Sequence, residues 1–387
     1  MTSVQHFYFD HNATTPLAPE ALETMVSCLG QVYGNASSIH HFGQAAKQRL
    51  EQARREVAAL VHANPAEMIF TGGGTEADNL AVLGVVRAKA DGARHVITTA
   101  IEHPAVLAPC GQLEREGVAV ARVGVASSGV INPDDVRRAL RPETALISVM
   151  HANNELGTIQ PVAEIARIAR EAGVPLHVDG VQALGKIPVD VNDLGVDLYS
   201  MSGHKIYGPK GIGALYVRKG TRLVPVTYGG HHERDRRPGT ENVPAIAALG
   251  TAAALAGRDV ASDAERLGAL RDRLENKVLE RIGGAGINGS RWNRTPNTSN
   301  LYFDGVDGEA MVIALDLRGF AVSTGAACSS GAITPSHVLT AIGLSRERAR
   351  SSLRFSLGRA NTAAQVDALV DALELSVAHL RRISVHA

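Results

Sequence analysis

ALISVMHANNELGTIQPVAEIARIAREAGVPLHVD, residues 145–179, contains the pattern that decides the fold. An apolar run at residues 145–150 precedes an amphipathic stretch at residues 162–172, which Gly173 closes, and a second apolar run ends at Asp179. Short apolar runs of this kind predict buried strands, and the stretch between them predicts a helix. The order strand, helix, strand therefore predicts two parallel strands joined by a crossover helix.

The same alternation extends from about residue 65 to residue 220. Further strands are predicted at residues 68–70, 95–99 and 118–122, and further helices at residues 76–90, 104–116 and 133–140. This order predicts a mainly parallel sheet with helices on both faces. Ligands of such sheets bind beyond the carboxyl ends of the strands, so functional residues are expected there.

The regular alternation of strands and helices ends after residue 220, and this change predicts a second, smaller α+β domain. A long helical stretch covers residues 244–279, and we expect residues 259–262 to interrupt it. Strands at 300–303 and 352–356, a helix at 308–317 and a closing helix at 365–382 follow. We assign residues 15–255 to a large domain, and residues 1–14 and 256–387 to a small domain.

The composition excludes several classes of protein. The chain of 387 residues has 39 Lys plus Arg and 39 Asp plus Glu, and this zero net charge argues against nucleic acid as a partner. Three cysteines are too few for a disulfide framework or a four-cysteine zinc site. The chain begins without a signal-peptide pattern and has no apolar run long enough for a membrane span, so we predict a cytoplasmic protein.

A glycine-rich stretch, TGGGTEAD at residues 71–78, follows a predicted strand and opens a predicted helix. Glycine lets the backbone approach a ligand closely, and free N–H groups at a helix start favour an anion. We predict a phosphate site with Thr75 as a hydroxyl donor, rather than a turn in which Thr75 caps the helix. The stretch also fits the dinucleotide pattern G-x-G-x-x-A, with Asp91 near the expected acidic position, so a nicotinamide dehydrogenase is an alternative.

Asp179 and Lys205 indicate a different cofactor. Asp179 ends a predicted strand, and Lys205 lies in SMSGHKIYGPKG, residues 200–211, where small and polar residues surround it. A pyridoxal phosphate (PLP) enzyme needs a lysine for the Schiff base and an aspartate that keeps the ring nitrogen protonated. Ser202 and His204 would join Thr75 at the phosphate.

Two further residues are suited to proton transfer and nucleophilic attack. His103, in IEHP at residues 101–104, either stacks on a cofactor ring and moves protons or caps the following helix. Cys328, in STGAACSSG at residues 323–331, has only small neighbours, which suits an accessible nucleophile. Cys28 and Cys110 lie in helical patterns and are predicted to be packing residues.

Taken together, these residues resemble the NifS/IscS cysteine desulfurases, class-V aminotransferase-like PLP enzymes of fold type I. The resemblance runs from DHNATTP at residues 10–16 to LRFSLGR at residues 353–359. Its most specific stretches are YGNASSIH at 33–40, EHP at 102–104, NNE at 153–155, HVD at 177–179 with Gln182, SGHK at 202–205, GGHHER at 229–234 and RPGT at 237–240. The fold implied is α/β and aspartate aminotransferase-like, with a mainly parallel sheet in the large domain and a smaller α+β C-terminal domain that carries the Cys328 segment.

The resemblance also implies a role for each matched residue. Lys205 carries PLP and removes the α-proton of L-cysteine, Cys328 attacks the substrate sulfur, and His103 stacks on the ring and carries protons. Arg354, with Asn35, binds the substrate carboxylate. The residues implied to hold PLP are Gly74, Thr75, His103, Asn154, Asp179, Gln182, Ser202, His204, Lys205 and, from the partner subunit's side of a homodimer, Thr240.

The implied reaction converts L-cysteine to L-alanine and leaves the sulfur on Cys328 as a persulfide. The Cys328 segment resembles the longer form of the IscS/NifS branch, which passes sulfur directly to scaffold proteins. The resemblance therefore implies a sulfur-acceptor protein such as an iron–sulfur scaffold, and hence iron–sulfur cluster assembly.

Three alternatives remain at this point. An aminotransferase or selenocysteine lyase of the same fold would share Lys205 and Asp179 but would not require Cys328. A non-enzymatic sulfur or cluster carrier would use Cys328 and His231-His232, and a dehydrogenase would leave Asp179 and Lys205 without a role. The chain differs from many family members at His11, Gly74 and His232.

Overall fold

Helices and strands alternate through most of the chain in the computed structural model, which describes residues 5–89, 92, 94–325 and 335–384. The helices are α1 (Pro19–Gln31), α2 (His41–Leu60), α3 (Gly74–Arg87), α4 (Pro104–Arg115), α5 (Pro133–Ala139), α6 (Val162–Glu171), α7 (Val191–Leu194), α8 (Val243–Arg281), α9 (Gly308–Asp316), α10 (His337–Ala341), α11 (Arg346–Arg350) and α12 (Ala363–Ser384). The strands are β1 (Phe7–Tyr8), β2 (Met68–Thr71), β3 (His95–Thr99), β4 (Ala119–Val123), β5 (Thr144–Met150), β6 (Leu176–Asp179), β7 (Leu198–Ser202), β8 (Gly213–Val217), β9 (Ala285–Ile287), β10 (Thr298–Phe303), β11 (Phe320–Ala321) and β12 (Ser352–Ser356).

A seven-stranded sheet of order β2-β8-β7-β6-β5-β3-β4 lies at the centre of the fold. All neighbouring strands from β4 to β7 are parallel, and only β8 is antiparallel to both of its neighbours. Strands β5, β6 and β7 are buried along their whole length, as expected for strands covered by helices on both faces. The predicted α/β fold with a mainly parallel sheet is confirmed.

The two smaller sheets are formed by strands of the C-terminal part of the chain together with the N-terminal strand β1. Strands β12, β10 and β9 form an antiparallel sheet, and β1 pairs in parallel with β11. The apolar core around these sheets joins Phe9 to residues from Leu267 to Val377, whereas a separate core extends from Ala18 to Ala256. These two cores support our division at residue 255, which remains a proposal.

Helix α8 links both cores, and here one prediction is wrong. The helix continues without a break through residues 259–262, where we expected an interruption. Asp259 is half-buried and pairs with Arg359 at 3.3 Å, and the exposed Ser262 donates its hydroxyl to the Asp259 carbonyl, so both polar residues find partners without breaking the helix. Among the described residues, α8 alone has the length and composition of a membrane span, but 56% of that apolar window is buried inside the protein. A core helix gives the same signal.

Candidate functional site

The carboxyl edge of the large sheet brings together the predicted site residues Asp179, Ser202, Lys205 and His103. Strand β6 ends at Asp179, and β7 ends at Ser202, after which one tight turn places Lys205. His103 lies in the connection from β3 to α4. Lys205 and Asp179 are close enough for their charges to influence each other, and so are His103 and both of them. Parallel strands gather these residues because their carboxyl ends share one edge.

The Lys205 amine is held by the N-terminal arm, the part of the chain that precedes α1. Its Nζ donates to the carbonyl oxygens of Asn12, at 2.5 Å, and Ala13, at 2.7 Å. Burial, assisted by the nearby Arg354 guanidinium, lowers the pKa of Lys205 to about 8, although Asp10 and Asp179 oppose the shift. A neutral amine is therefore accessible near neutral pH, as a lysine acting as a nucleophile or base requires.

Asn12 connects several parts of the site, although the sequence did not predict a role for it. Its carbonyl also accepts a hydrogen bond from Gln182 Nε2 at 2.9 Å, and its side-chain oxygen accepts from Lys186 Nζ at 2.9 Å. Lys186 Nζ also donates to Gln182 Oε1. The only signal in the sequence was the DHNATTP stretch, because a backbone carbonyl that accepts a hydrogen bond leaves no trace in residue type.

Asp179 is buried, and its Oδ1 accepts the Val181 N–H at 3.0 Å. Burial and then the neighbouring Asp78 carboxyl raise the pKa of Asp179 to about 7, whereas His103 and His177 oppose the increase. A positively charged group beside Asp179 would favour the carboxylate. The site therefore presents a carboxyl group whose charge depends on what binds next to it.

Polar groups that no sequence pattern predicted lie behind Asp179. The His177 ring is bonded to Ser148 Oγ through Nδ1, at 2.8 Å, and to Ser200 Oγ through Nε2, at 2.9 Å. Asp78 Oδ1 lies 3.5 Å from the same Nε2. All four side chains are buried, and His177 lies two residues before Asp179 on the same face of β6.

The predicted phosphate residues line one cleft at the start of α3. The cleft contains Gly74 and Thr75 together with Ser202, His204 and Lys210. His204 Nδ1 is bonded to Thr14 Oγ1 at 3.1 Å, and burial lowers the pKa of His204 to about 4. The helix begins at Gly74, so Thr75 lies in its first turn and the alternative role of helix cap is wrong.

Glycine is required at position 74 by the close approach of two neighbours. A Cβ on Gly74 would lie 2.8 Å from Val181 Cγ2 and 3.4 Å from Ser202 Cβ. Gly73 precedes the helix with a φ of +150°, a conformation that side chains rarely adopt. The glycines thus let the first turn of α3 lie close to the ends of β6 and β7.

His103 caps helix α4, as one of our two interpretations predicted. Its Nδ1 accepts the Ala105 N–H at 3.1 Å, so Nε2 is the ring nitrogen that remains for proton transfer. Burial lowers the pKa of His103, with Lys205 and His337 adding to the effect and Asp179 opposing it. Capping and interaction with a cofactor are therefore compatible in the neutral ring.

Arg354, on β12, is buried beside the N-terminal arm. Its Nη2 donates to Asp10 Oδ1 at 2.7 Å, and its Nη1 donates to the Asn154 carbonyl at 3.0 Å. Its buried Nε has no hydrogen-bond partner among the described residues. The guanidinium is thus already engaged by a carboxylate, which a substrate carboxylate would have to replace or join.

Some predicted site residues are not part of this group. Asn35 is exposed between α1 and α2, where its side chain accepts the Ser37 N–H, and Thr240 is exposed shortly before α8. Within the described ranges, no hydrogen bond or ion pair joins either residue to Lys205. Cys328 and Asp91 lie outside the described residues.

The residues that flank positions 326–334 lie next to the site. Ser336 Oγ donates to the buried Glu155 Oε2 at 2.6 Å, and Gly325 lies against the same carboxyl group. His337 Nε2 is 2.9 Å from the Glu102 carbonyl, beside His103 in the chain. Gly325, Ser336 and His337, the described residues on either side of positions 326–334, therefore lie within the site region.

Comparison with known proteins identifies the chain's relatives. The family model for class-V aminotransferases matches residues 7–369. The chain is 47% identical over 377 residues to the cysteine desulfurase IscS of Dictyoglomus turgidum, covering 97% of this chain and 96% of that protein. A solved structure of a NifS-like protein superposes with a TM-score of 0.92 at 36% identity, covering 97% of this chain and all of the other. A structure of SspA in complex with cysteine superposes with a TM-score of 0.80 at 38% identity, covering 90% of this chain and 98% of the other.

These matches extend over nearly the full length of the chain, and they include the strands and turns that form the site. Sequence identity well above 30% over almost the whole length is far more than a shared fold requires. The chain therefore belongs to the class-V aminotransferase family and, within it, to the cysteine desulfurases.

Proposed function

We propose that this chain converts L-cysteine to L-alanine and transfers the substrate sulfur to Cys328. In the net reaction the Cβ–Sγ bond of the substrate breaks and a new S–S bond forms at the Cys328 sulfur. The electron pair of the broken bond stays on the carbon, which takes up a proton as alanine is formed. The observation that carries the proposal is the placement of Lys205 and Asp179 together at the edge of the sheet, beside the glycine-rich start of α3.

Enzymes of this family depend on PLP, and the described residues fit that cofactor. When it is bound, PLP supplies an electron sink that stabilises negative charge on the substrate α-carbon. We propose that Lys205 binds it covalently, that Asp179 pairs with the ring nitrogen and Gln182 with the ring hydroxyl, and that His103 and Asn154 contact the ring. Gly74, Thr75, Ser202 and His204 would bind the phosphate.

Lys205 and His103 have properties that suit proton transfer. The lowered pKa of Lys205 leaves a substantial fraction of neutral amine near pH 8, which can take the α-proton at Nζ. His103 Nδ1 is used by the Ala105 N–H, so a proton would pass through Nε2. Because Asp78 helps to raise the pKa of Asp179, the ionisation of Asp179 depends on the positive charge that the bound ring would bring.

Arg354 is the proposed site of the substrate carboxylate. Its guanidinium is fixed by Asp10 and by the Asn154 carbonyl, so its position in the site is already defined. The SspA structure was determined in complex with cysteine, which supports L-cysteine as the substrate of this chain as well. Asn35 would complete the carboxylate site.

We further propose that the chain acts as a cytoplasmic homodimer that passes sulfur to an acceptor protein, such as an iron–sulfur scaffold. Apolar side chains are exposed along one side of α1, at Leu22, Val26 and Leu29, and continue at Tyr33 and Ile39. Exposed apolar surface of this extent favours an interface. Asn35 lies within the same region, so a second copy would cover it.

The test is to incubate the purified protein with PLP, L-cysteine and a reductant, and to measure alanine and sulfide. We expect Cys328→Ala to abolish sulfide release while the visible absorption of bound PLP remains, and Lys205→Ala to abolish both activity and covalent PLP binding. Cys28→Ala is the matched control because Cys28 is a buried thiol in α1, and it should leave turnover unchanged.

Three results would contradict the proposal. Alanine production that does not depend on Cys328 would favour a lyase that does not use this cysteine. The absence of covalent PLP in the wild-type protein, after adding the cofactor, would overturn the role of Lys205. Equal turnover of selenocysteine in Cys328→Ala would favour a selenocysteine lyase.

A further inference from the structure

A salt bridge at the start of α3 has no part in the functions described so far. The Arg237 Nε donates to Glu76 Oε1 at 2.8 Å, and its Nη2 lies 3.4 Å from Glu76 Oε2. The same Oε2 accepts the Gly72 N–H at 2.6 Å. Glu76 also lines the cleft that contains Gly74, Thr75 and Ser202.

The position of Glu76 presents an electrostatic problem for a phosphate site. The first turn of a helix attracts anions through its free N–H groups and the helix dipole. A carboxylate in that turn uses the same attraction and repels a phosphate that approaches the same amides. Arg237 removes most of this repulsion because it neutralises the carboxylate and keeps it bonded to the Gly72 N–H.

The loop that carries Arg237 is fixed to the sheet by a buried ion pair. Arg54 and Glu233 form two hydrogen bonds of 2.8 and 2.7 Å, and both side chains are at most 5% exposed. Glu233 Oε2 also accepts the Phe70 N–H of β2 at 2.8 Å. Strand β2 leads directly into the glycine-rich stretch, so the loop and the phosphate residues share one rigid support.

The backbone of this loop is strained. Glu233, Arg234 and Asp235 have φ values of +42°, +57° and +63°, and none of them is glycine. Such conformations persist only where the surrounding structure fixes them, and they occur most often at functional sites. The Arg54–Glu233 pair provides that fixation a few residues before Arg237.

We propose that Arg237 is a positioning residue for the phosphate site, because it neutralises Glu76 and thereby makes the first turn of α3 available to the phosphate of the cofactor. The inference rests on the proposed PLP site. It assigns the Arg54–Glu233 pair the task of holding the Arg237 loop in place. Neither Arg237 nor Glu76 contacts the reacting atoms in this scheme.

The test compares cofactor-free wild-type protein with Arg237→Gln, Glu76→Gln and the double variant. Kd is measured for PLP and for pyridoxal, which lacks the phosphate. We expect Arg237→Gln to weaken PLP binding about ten-fold, because an unneutralised carboxylate remains in the site, and to leave pyridoxal binding unchanged. Glu76→Gln should have less than about a three-fold effect, and the double variant should return close to wild type.

Arg87→Gln is the matched control. Arg87 lies in the last turn of the same helix, and it forms an equally short pair with Glu116, 2.7 Å long and similarly exposed. It should change neither Kd. The thermal midpoint of each cofactor-free variant, with and without inorganic phosphate, gives a second measure: phosphate should protect Arg237→Gln less than wild type.

The following results would overturn the inference. A double variant as weak as Arg237→Gln would show that charge on Glu76 does not matter, and an equal loss for pyridoxal would show that the phosphate is not involved. A similar loss of PLP affinity in Arg87→Gln would mean that the weaker binding results from a general loss of stability and not from the charge at Glu76. If the wild type binds inorganic phosphate but no PLP, the proposed cofactor fails, and phosphate protection alone decides the role of Arg237.

Discussion

Replacing Asp78 by Asn tests how buried carboxyl groups control the charge of Asp179. Burial raises the pKa of Asp78 from 3.8 to about 7, against the opposing effect of a Ser200 hydrogen bond. The titratable groups around it are His177, at 3.5 Å, and the carboxyls of Asp179 and Glu102. The folded protein therefore binds a proton at Asp78 that the unfolded chain has released. Below about pH 4 both states are protonated, and stability is lost as the pH rises towards 7.

The size of the effect follows from the two pKa values. From about pH 5 to about pH 8, ionisation of Asp78 lowers the free energy of unfolding by roughly 2–3 kcal/mol, at about 1.4 kcal/mol for each unit of pKa difference. With an unfolding entropy of about 2.1 cal/mol/K per residue, this loss of stability corresponds to a decrease of about 3 °C in the thermal midpoint. Asp78→Asn cannot ionise, so its midpoint should fall by about 3 °C less than that of the wild type over this pH range.

The assay is thermal unfolding of cofactor-free protein at several pH values. Glu114→Gln is the control, because Glu114 is exposed and its Arg122 partner lowers its pKa, whereas burial raises the pKa of Asp78. It should leave the slope between pH 5 and 8 unchanged. A second measure is kcat/KM against pH, where removal of the Asp78 charge lowers the pKa of Asp179 and moves the acid limb to lower pH.

Parallel melting curves for the wild type and Asp78→Asn, with midpoints offset equally at every pH, would refute this reasoning. They would mean that Asp78 contributes only packing and hydrogen bonding. Asp78→Asn could change the slope of the thermal midpoint against pH and leave the acid limb of kcat/KM unchanged. That result would mean that Asp78 does not control the pKa of Asp179, and that another group sets the acid limb.

Other predictions follow from single contacts. Gly74→Ala places a Cβ 2.8 Å from Val181 Cγ2, so it should cost about 1–2 kcal/mol of stability and weaken PLP binding, and Val181→Ala in the same chain should restore both in melting and titration experiments. Arg354→Lys keeps the charge but loses the planar fork, so KM for L-cysteine should rise at least about ten-fold with a smaller change in kcat; an unchanged KM would exclude Arg354 as the carboxylate site. Glu275→Ala removes both hydrogen bonds of the buried Arg294 guanidinium to a carboxylate and leaves it only a 4.0 Å contact with Asp272, so denaturant unfolding should show a loss of about 3–5 kcal/mol, and a loss below about 1 kcal/mol would contradict this account.

Most of the large domain was predictable because its strands and helices differ in period and length. The parallel strands β3 and β5 were predicted within one residue of their bounds, β6 ends at Asp179 as predicted, and the residues at the strand ends indicated where the site lies. The continuity of α8 was not predictable from Asp259 and Ser262, because packing against α1 and α2 outweighs the weak helix propensity of two polar residues.

The site itself was only partly predictable. Asp179, Lys205 and His103 were found because their side chains carry recognisable chemistry at the ends of strands. The carbonyl groups of Asn12 and Ala13 act through the backbone, and the neutralisation of Glu76 by Arg237 joins residues 161 positions apart. Contacts of these two kinds depend on tertiary structure, so no local pattern indicates them.

The N-terminal arm explains how the two parts of the site act together. Asp10 binds Arg354 of the C-terminal part, and two residues later the Asn12 carbonyl binds Lys205 of the large sheet. Lys205 and Arg354 repel each other, and this repulsion contributes to the low pKa of Lys205. A substrate carboxylate on Arg354 would add negative charge and favour the protonated lysine. The same group that binds the substrate would thus adjust the proton affinity of the group proposed to take the α-proton.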